Sequence, residues 1–153
     1  MNKTALITGA TSGIGKAAAE LFAKNGINLV LCGRRQERLD VLKKELGKHT
    51  QVLTLNFDVR DRDDVFEQIS SLSDEFSKID ILVNNAGMAM PSSLETTSDE
   101  LWDQVMGLNV GSMFKISRAA LPHLKKSGKG RIINLGSIMS DMGGPDLFVY
   151  GTS

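Results

Sequence analysis

Five short apolar runs constrain what this chain can fold into more than any other feature. They are TALIT (Thr4–Thr8), NLVLC (Asn28–Cys32), QVLTLNF (Gln51–Phe57), DILVN (Asp80–Asn84) and RIINL (Arg131–Leu135). Strands with one wet face alternate apolar and polar residues, whereas these are apolar at nearly every position, as expected of a parallel sheet covered on both sides. Between them lie segments of helical period. Ile14, Ala17, Ala18, Leu21 and Phe22 mark the first helix, and Leu39, Leu42 and Leu46 the second. Val65, Ile69, Leu72 and Phe76 mark a third that Asp61 would cap. A fourth is expected to open at TSDE, with Thr97 and Glu100 as a capping box, and to run through Leu101, Val105 and Leu108. A fifth carries Ile116, Ala120 and Leu124, with Pro122 kinking it or defining its last turns. Strands alternating with helices predict a doubly wound, Rossmann-like α/β fold, as a single domain over residues 1–153.

The bulk composition narrows the function by exclusion. Eighteen basic residues balance eighteen acidic ones, which gives no electrostatic reason to bind nucleic acid or an anionic membrane. The single cysteine, Cys32, lies in an apolar run without a partner, which fits a reducing, cytoplasmic setting. The expected ligand is a small molecule, and no metal-ligating cluster stands out.

In a doubly wound sheet, ligands gather beyond the carboxyl ends of the strands, so those ends carry the functional reading. After the first strand comes TGATSGIG, with Gly9, Gly13 and Gly15 between strand and helix. Glycines there let the backbone turn sharply and approach a pyrophosphate, whose charge the helix N-terminus attracts. A ligand-free tight turn is the plainer reading, and the absence of a following Gly-Lys-Ser/Thr excludes a Walker A loop. After the second strand, Gly33 is followed by Arg34 and Arg35, where an NAD-selective fold places an acidic residue. Arg34 would suit the 2′-phosphate of NADP. Arg35 and Arg38 read equally well as a solvated first helical turn. Asp58 after the third strand could accept from an adenine amino group or cap a turn. In NNAG, Asn84 to Gly87, adjacent amides can tie strand ends together, while Ala86 and Gly87 leave room for a flat cofactor.

Taken together, the T-G-x-x-x-G-I-G loop, Asp58-Val59, N-N-A-G, Asn109 in GLNVG, Ser137 in NLGSIM and Tyr150 in VYGTS resemble the short-chain dehydrogenase/reductase family. The runs GRRQERL, IDILVNNAGMA and VYGTS are further similar to bacterial NADP-dependent 3-hydroxy acid (serine-type) dehydrogenases. That resemblance implies that Gly9, Ser12, Gly13, Ile14 and Gly15 cradle the pyrophosphate and that Arg34 selects NADP. Asp58 and Val59 would hold the adenine, and Asn84, Ala86 and Gly87 the nicotinamide side.

The same resemblance implies a catalytic set of Asn109, Ser137 and Tyr150, with Tyr150 also beside the cofactor. Tyr150 would be the acid, Ser137 would hydrogen-bond the substrate oxygen, and Asn109 would organise a water-linked proton path. A tyrosine works near neutrality only with a positive charge beside it. In the family a lysine four residues later supplies that charge, and here that position falls beyond Ser153.

The implied reaction interconverts a secondary alcohol and a ketone, possible substrates including a small 3-hydroxy acid. The alternative is a catalytically inactive nucleotide-binding or assembly module. The family's further strands and helices are absent from this sequence. On this reading Tyr150 would sit in a poorly ordered tail and the 153-residue form would turn over little. The fifth strand would be an exposed edge for another copy to cover in a homo-oligomer.

Overall fold

The computed structural model describes residues 2–153. Five parallel strands form one sheet in the order β3-β2-β1-β4-β5. They are β1 (Thr4–Thr8), β2 (Asn28–Gly33), β3 (Val52–Asn56), β4 (Ile81–Asn84) and β5 (Arg131–Asn134). Leu6 sits level with Val30 on β2 and Leu82 on β4, so the central three strands are in register through the core. Every residue of β1 and β2 is buried, as their unbroken apolar runs predict.

Helices α1 (Gly13–Lys24) and α2 (Gln36–Leu46) cover one face, where Ala5, Ile7, Leu29 and Leu31 pack against Ala19, Ala23, Leu39 and Leu42. On the other face α3 (Arg62–Ser70) and α5 (Ser112–Ser127) bring Val65, Ile69, Ile116 and Ala120 onto Leu6, Val30 and Leu82. The doubly wound α/β expectation is met.

Local expectations fail where packing decides. In α1 the buried residues are Gly15, Ala19 and Ala23, whereas Ile14 and Leu21 are more than half exposed. The stripe of small residues lets the helix lie close to the turn after β1, and larger side chains on that face would hold it off. The fourth helix, α4 (Asp99–Met106), is capped by Ser98, whose hydroxyl accepts from Leu101 N–H at 3.2 Å. Thr97 instead donates to the Ser93 carbonyl at 2.6 Å, so it is not the cap. Between α4 and α5 the chain makes a π turn, Gly107–Gly111, and α5 continues through Pro122.

Two short helices complete the described chain, α6 (Met139–Met142) and α7 (Phe148–Thr152). The expectation of a poorly ordered Tyr150 tail is corrected. Val149 is fully buried, Phe148 N–H donates to the Ser92 carbonyl at 2.9 Å, and the Phe148 ring lies 6.2 Å from that of Trp102 in α4. Two apolar anchors just before Tyr150, and the Asn109 amide donating to Ser153 Oγ after it, hold the segment down. All four residues of β5 are exposed, so the expected open edge is present.

Candidate functional site

Strand order reverses between β1 and β4, and the loops leaving their carboxyl ends meet there. The Thr8 hydroxyl, buried at the end of β1, accepts from the N–H groups of both Asn85 and Ala86 at 3.0 Å. In return the Asn85 amide donates to the carbonyls of Thr8 and Gly9 at 2.9 and 3.2 Å. These four bonds lock the glycine loop to N-N-A-G. Gly9 turns with φ +64°, and a Cβ there would lie 2.9 Å from the Asn85 amide nitrogen and 3.0 Å from Ala86 Cα. A Cβ on Gly15 would lie 2.5 Å from the Gly9 carbonyl oxygen. Gly13 has φ +54° with open space where a side chain would go, leaving its backbone bare. A loop bare at the helix N-terminus fits the approach of a diphosphate.

A cleft of about 600 Å³ opens over this loop. Gly9, Ser12, Ile14, Arg34, Asp58 and Val59 line it, and Ala86 and Gly87 form its inner end. Through Ile14, Asn85, Ala86 and Gly87 it continues into a second cavity of about 260 Å³, whose walls include Asn109, Ser137 and Tyr150. The structure therefore brings the three expected catalytic residues to one cavity. Asn84, Gly13 and Gly15 line neither. The buried Asn84 amide donates to Asn134 Oδ1 at 2.8 Å and to Ser117 Oγ at 3.0 Å, joining β4 to β5 and α5, while Gly15 packs beneath the loop.

Asn109, in the π turn, accepts from Met88 N–H and donates to Met88 C=O, both at 2.9 Å. It donates further to Ser153 Oγ at 2.8 Å. Ser137 Oγ accepts from Met139 N–H at 3.2 Å as the chain enters α6.

The charges at the outer rim are arranged in pairs. Arg60 forks onto Asp58, its Nη2 2.7 Å from Oδ2 and its Nε 3.1 Å from Oδ1, and Arg34 Nη1 stands 3.6 Å from the same Oδ2. The hydrogen bonds from Arg60, with its charge, hold the Asp58 carboxyl below the usual carboxylate range. Arg35 is not the freely solvated side chain that its sequence context allows. Its guanidinium donates to Thr11 Oγ1 at 2.9 Å and Ser12 Oγ at 3.2 Å, folding over the glycine loop. The expectation that the adjacent amides of NNAG tie strand ends together is met by Asn85 on β1 and by Asn84 on β5. Sequence reasoning passed over Thr8, whose only signal was its place at a strand end, and Arg60, which nothing in DVRD distinguished from a solvated charge.

A larger hollow, about 720 Å³, lies at the opposite ends of the strands, but its polar groups satisfy one another. Asn28 donates to Gln51 at 3.0 Å and accepts from Thr50 at 2.8 Å, and Gln51 donates to Glu75.

Parallel strand order, a glycine turn at the reversal point and a continuous cleft above it define a nucleotide-binding class of α/β protein. The model of the short chain dehydrogenase family matches residues 3–153, and the chain belongs to that family. It is similar to the sulfoacetaldehyde reductase of Chromohalobacter salexigens, 42% identical over all of this chain and 61% of that protein. It is also similar to the NADP-dependent 3-hydroxy acid dehydrogenase YdfG of Salmonella typhimurium, 41% identical over 86% of this chain and 53% of that one. Among solved structures, serine dehydrogenase from Escherichia coli superposes with TM-score 0.88 at 37% identity, covering 97% of this chain and 68% of the other. The closed form of serine dehydrogenase complexed with NADP+ gives TM-score 0.89 at 38% identity, over 97% and 60%. The chain spans about three fifths of the length of the first curated relatives it matches.

Proposed function

We propose that residues 1–153 form the dinucleotide-binding domain of an NADP(H)-dependent oxidoreductase that interconverts a secondary alcohol and a ketone, with small 3-hydroxy acids as the substrate class. The observation that carries this reading is the continuity of the two cavities, which lets Ser137 and Tyr150 face one end of a cleft whose other end holds Arg34. Gly9, Ser12, Gly13 and Ile14 would meet the diphosphate, with Gly15 setting the loop beneath it. Arg34 would meet the 2′-phosphate, Asp58 and Val59 the adenine, and Ala86 and Gly87 the nicotinamide side. Bound there, the dinucleotide supplies or accepts the hydride.

Negative charge develops on the ketone oxygen during reduction, and the chain's own residues answer it. The Tyr150 hydroxyl would donate its proton to that oxygen, and the Ser137 hydroxyl would donate a hydrogen bond to it. Asn109 holds the Met88 backbone on one wall of the same cavity, and on this reading it would organise a water-linked proton path there. A homo-oligomer in a reducing cytoplasm completes the reading. It is supported by the exposed Ile132 and Ile133 of β5 and the exposed Val110, Phe114 and Leu121 around α5.

Titration with NADPH and NADH, before and after Arg34→Asp, tests the cofactor. Loss of NADPH affinity with NADH binding retained is expected, and equal losses would refute the selection. Turnover on a panel of 3-hydroxy acids, acyl thioesters and steroid ketones tests the substrate class. Activity confined to the last two sinks the small acid and leaves the reaction type. Binding without turnover on any of them, by a form extended to the length of the relatives, favours a nucleotide-binding module.

A further inference from the structure

Arg34 cannot be judged as a phosphate ligand without its neighbour. Its guanidinium stands 3.6 Å from Asp58, and that carboxylate lines the same cleft. An aspartate there has two unfavourable effects on a nucleotide carrying a 2′-phosphate. Its charge repels the phosphate, and it draws Arg34 into an ion pair of its own. Arg60 opposes both effects. It bonds both oxygens of Asp58, with Nε at 3.1 and 3.2 Å, Nη2 at 2.7 Å, and its own backbone N–H on Oδ1 at 2.9 Å. Arg60 does not line the cleft itself. Its backbone is tied down from α5, where Lys115 donates to its carbonyl at 2.6 Å. The Asp58–Arg60 pair is therefore neutral as a unit, and Arg34 and Arg35 leave the rim net positive although Arg34 still stands beside Asp58. A planar guanidinium forked on one carboxylate holds that geometry better than a lysine would.

We propose that Arg60 is a positioning residue for cofactor selection, which neutralises Asp58 so that Arg34 is released to a ribose 2′-phosphate. The inference rests on the NADP(H) reading above and extends it to a residue outside the cleft. Arg60 acts through Asp58 and touches no part of the nucleotide. It follows that its removal should harm 2′-phosphorylated ligands selectively. Damage to the fold or to the adenine contact would instead weaken every adenine nucleotide alike.

The test is isothermal titration of the 153-residue chain with 2′,5′-ADP and with 5′-ADP, whose affinity ratio isolates the 2′-phosphate. Arg60→Met should lower the affinity for 2′,5′-ADP by about tenfold and leave that for 5′-ADP within about twofold. Arg60→Lys should recover part of the loss. In an Asp58→Asn background, Arg60→Met should no longer change the ratio, because no carboxylate is left to neutralise. Equal losses for both ligands, an unchanged ratio, or the same effect in the Asp58→Asn background would each overturn the role of Arg60. If the unaltered chain shows no preference for 2′,5′-ADP, the NADP(H) reading fails first and the inference falls with it. A preference that survives Arg60→Met unchanged sinks the inference alone.

Discussion

Asn109 holds Met88 by both of its backbone polar groups: its Oδ1 accepts from the Met88 N–H and its Nδ2 donates to the Met88 carbonyl, each at 2.9 Å. An amide side chain is the smallest group that can satisfy a strand-like backbone pair in this way, and a buried one leaves both backbone groups orphaned when removed. Asn109→Ala is expected to cost about 2–4 kcal/mol of stability. The check is the urea midpoint of the variant against the parent chain. A shift under half a kcal/mol would mean that water replaces the amide without loss.

Two glycines of one loop should respond very differently to the same substitution. At Gly15 an added Cβ meets the Gly9 carbonyl oxygen at 2.5 Å and also the Asn85 amide, which is itself held by the Thr8 and Gly9 carbonyls. Gly15→Ala should destabilise by about 3 kcal/mol and disturb the loop. At Gly13 the space is open and only the left-handed φ of +54° resists, so Gly13→Ala should cost about 1 kcal/mol. Its larger effect should be on ligand approach, lowering nucleotide affinity more than stability. Thermal melts with and without NADPH separate the two. Similar melting losses for both variants would contradict this assignment.

Cys32 is fully buried in β2, and burial pushes its thiol up to about 12. A thiol whose folded value lies above its unfolded value of about 8.5 adds stability that is fully present below 8.5 and is lost as the pH rises towards the folded value. Stability should therefore fall by about 1.4 kcal/mol per pH unit from this group above pH 8.5, a slope that Cys32→Ala should lack. At neutral pH, labelling by a thiol reagent should proceed only at the rate of global unfolding. Rapid labelling of the folded chain would show that the strand opens locally.

Asp58 carries the opposite sign. Its carboxyl is held below its ordinary value chiefly by the Arg60 hydrogen bonds, so its contribution to stability is present above the usual carboxylate range. That contribution is lost as the pH falls through the depressed value. Asp58→Asn should flatten the stability profile below about pH 4, the ordinary aspartate value, and lower stability at neutrality by the contribution so removed. Unfolding midpoints measured from neutrality into acid decide this, and parallel profiles for the two proteins would exclude a role for the pair.

Much of this molecule was readable from residue order. β1 and β2 are apolar throughout because helices cover both their faces, and that pattern carries the parallel sheet and the strand ends where the cleft lies. What the sequence hid was pairwise. Ile14 and Leu21 looked like the buried face of α1, because hydrophobic period cannot register that a helix crossing a tight turn must present Gly15, Ala19 and Ala23. Arg35 looked like a solvated charge and Arg60 drew no reading, because their partners Thr11 and Asp58 are set by the loop turns. Asn84 was read as facing the cofactor side, but β5 and Ser117 of α5 claim its amide. The tail around Tyr150 looked loose because Ser92 and Trp102, which anchor it, lie far away in the chain.

The π turn at Gly107–Gly111 places Asn109 and amounts to one residue more than an α-helix accommodates. Each residue advances an α-helix by about 100°, so excising one would let α4 and α5 fuse into a single regular rod. Asn109 or its replacement would then swing out of register with Met88. Such a shortened chain should gain helical regularity and forfeit the cavity wall. The regular rod would thus come at the loss of the Asn109–Met88 bonds, so the extra residue stabilises the very wall that it builds.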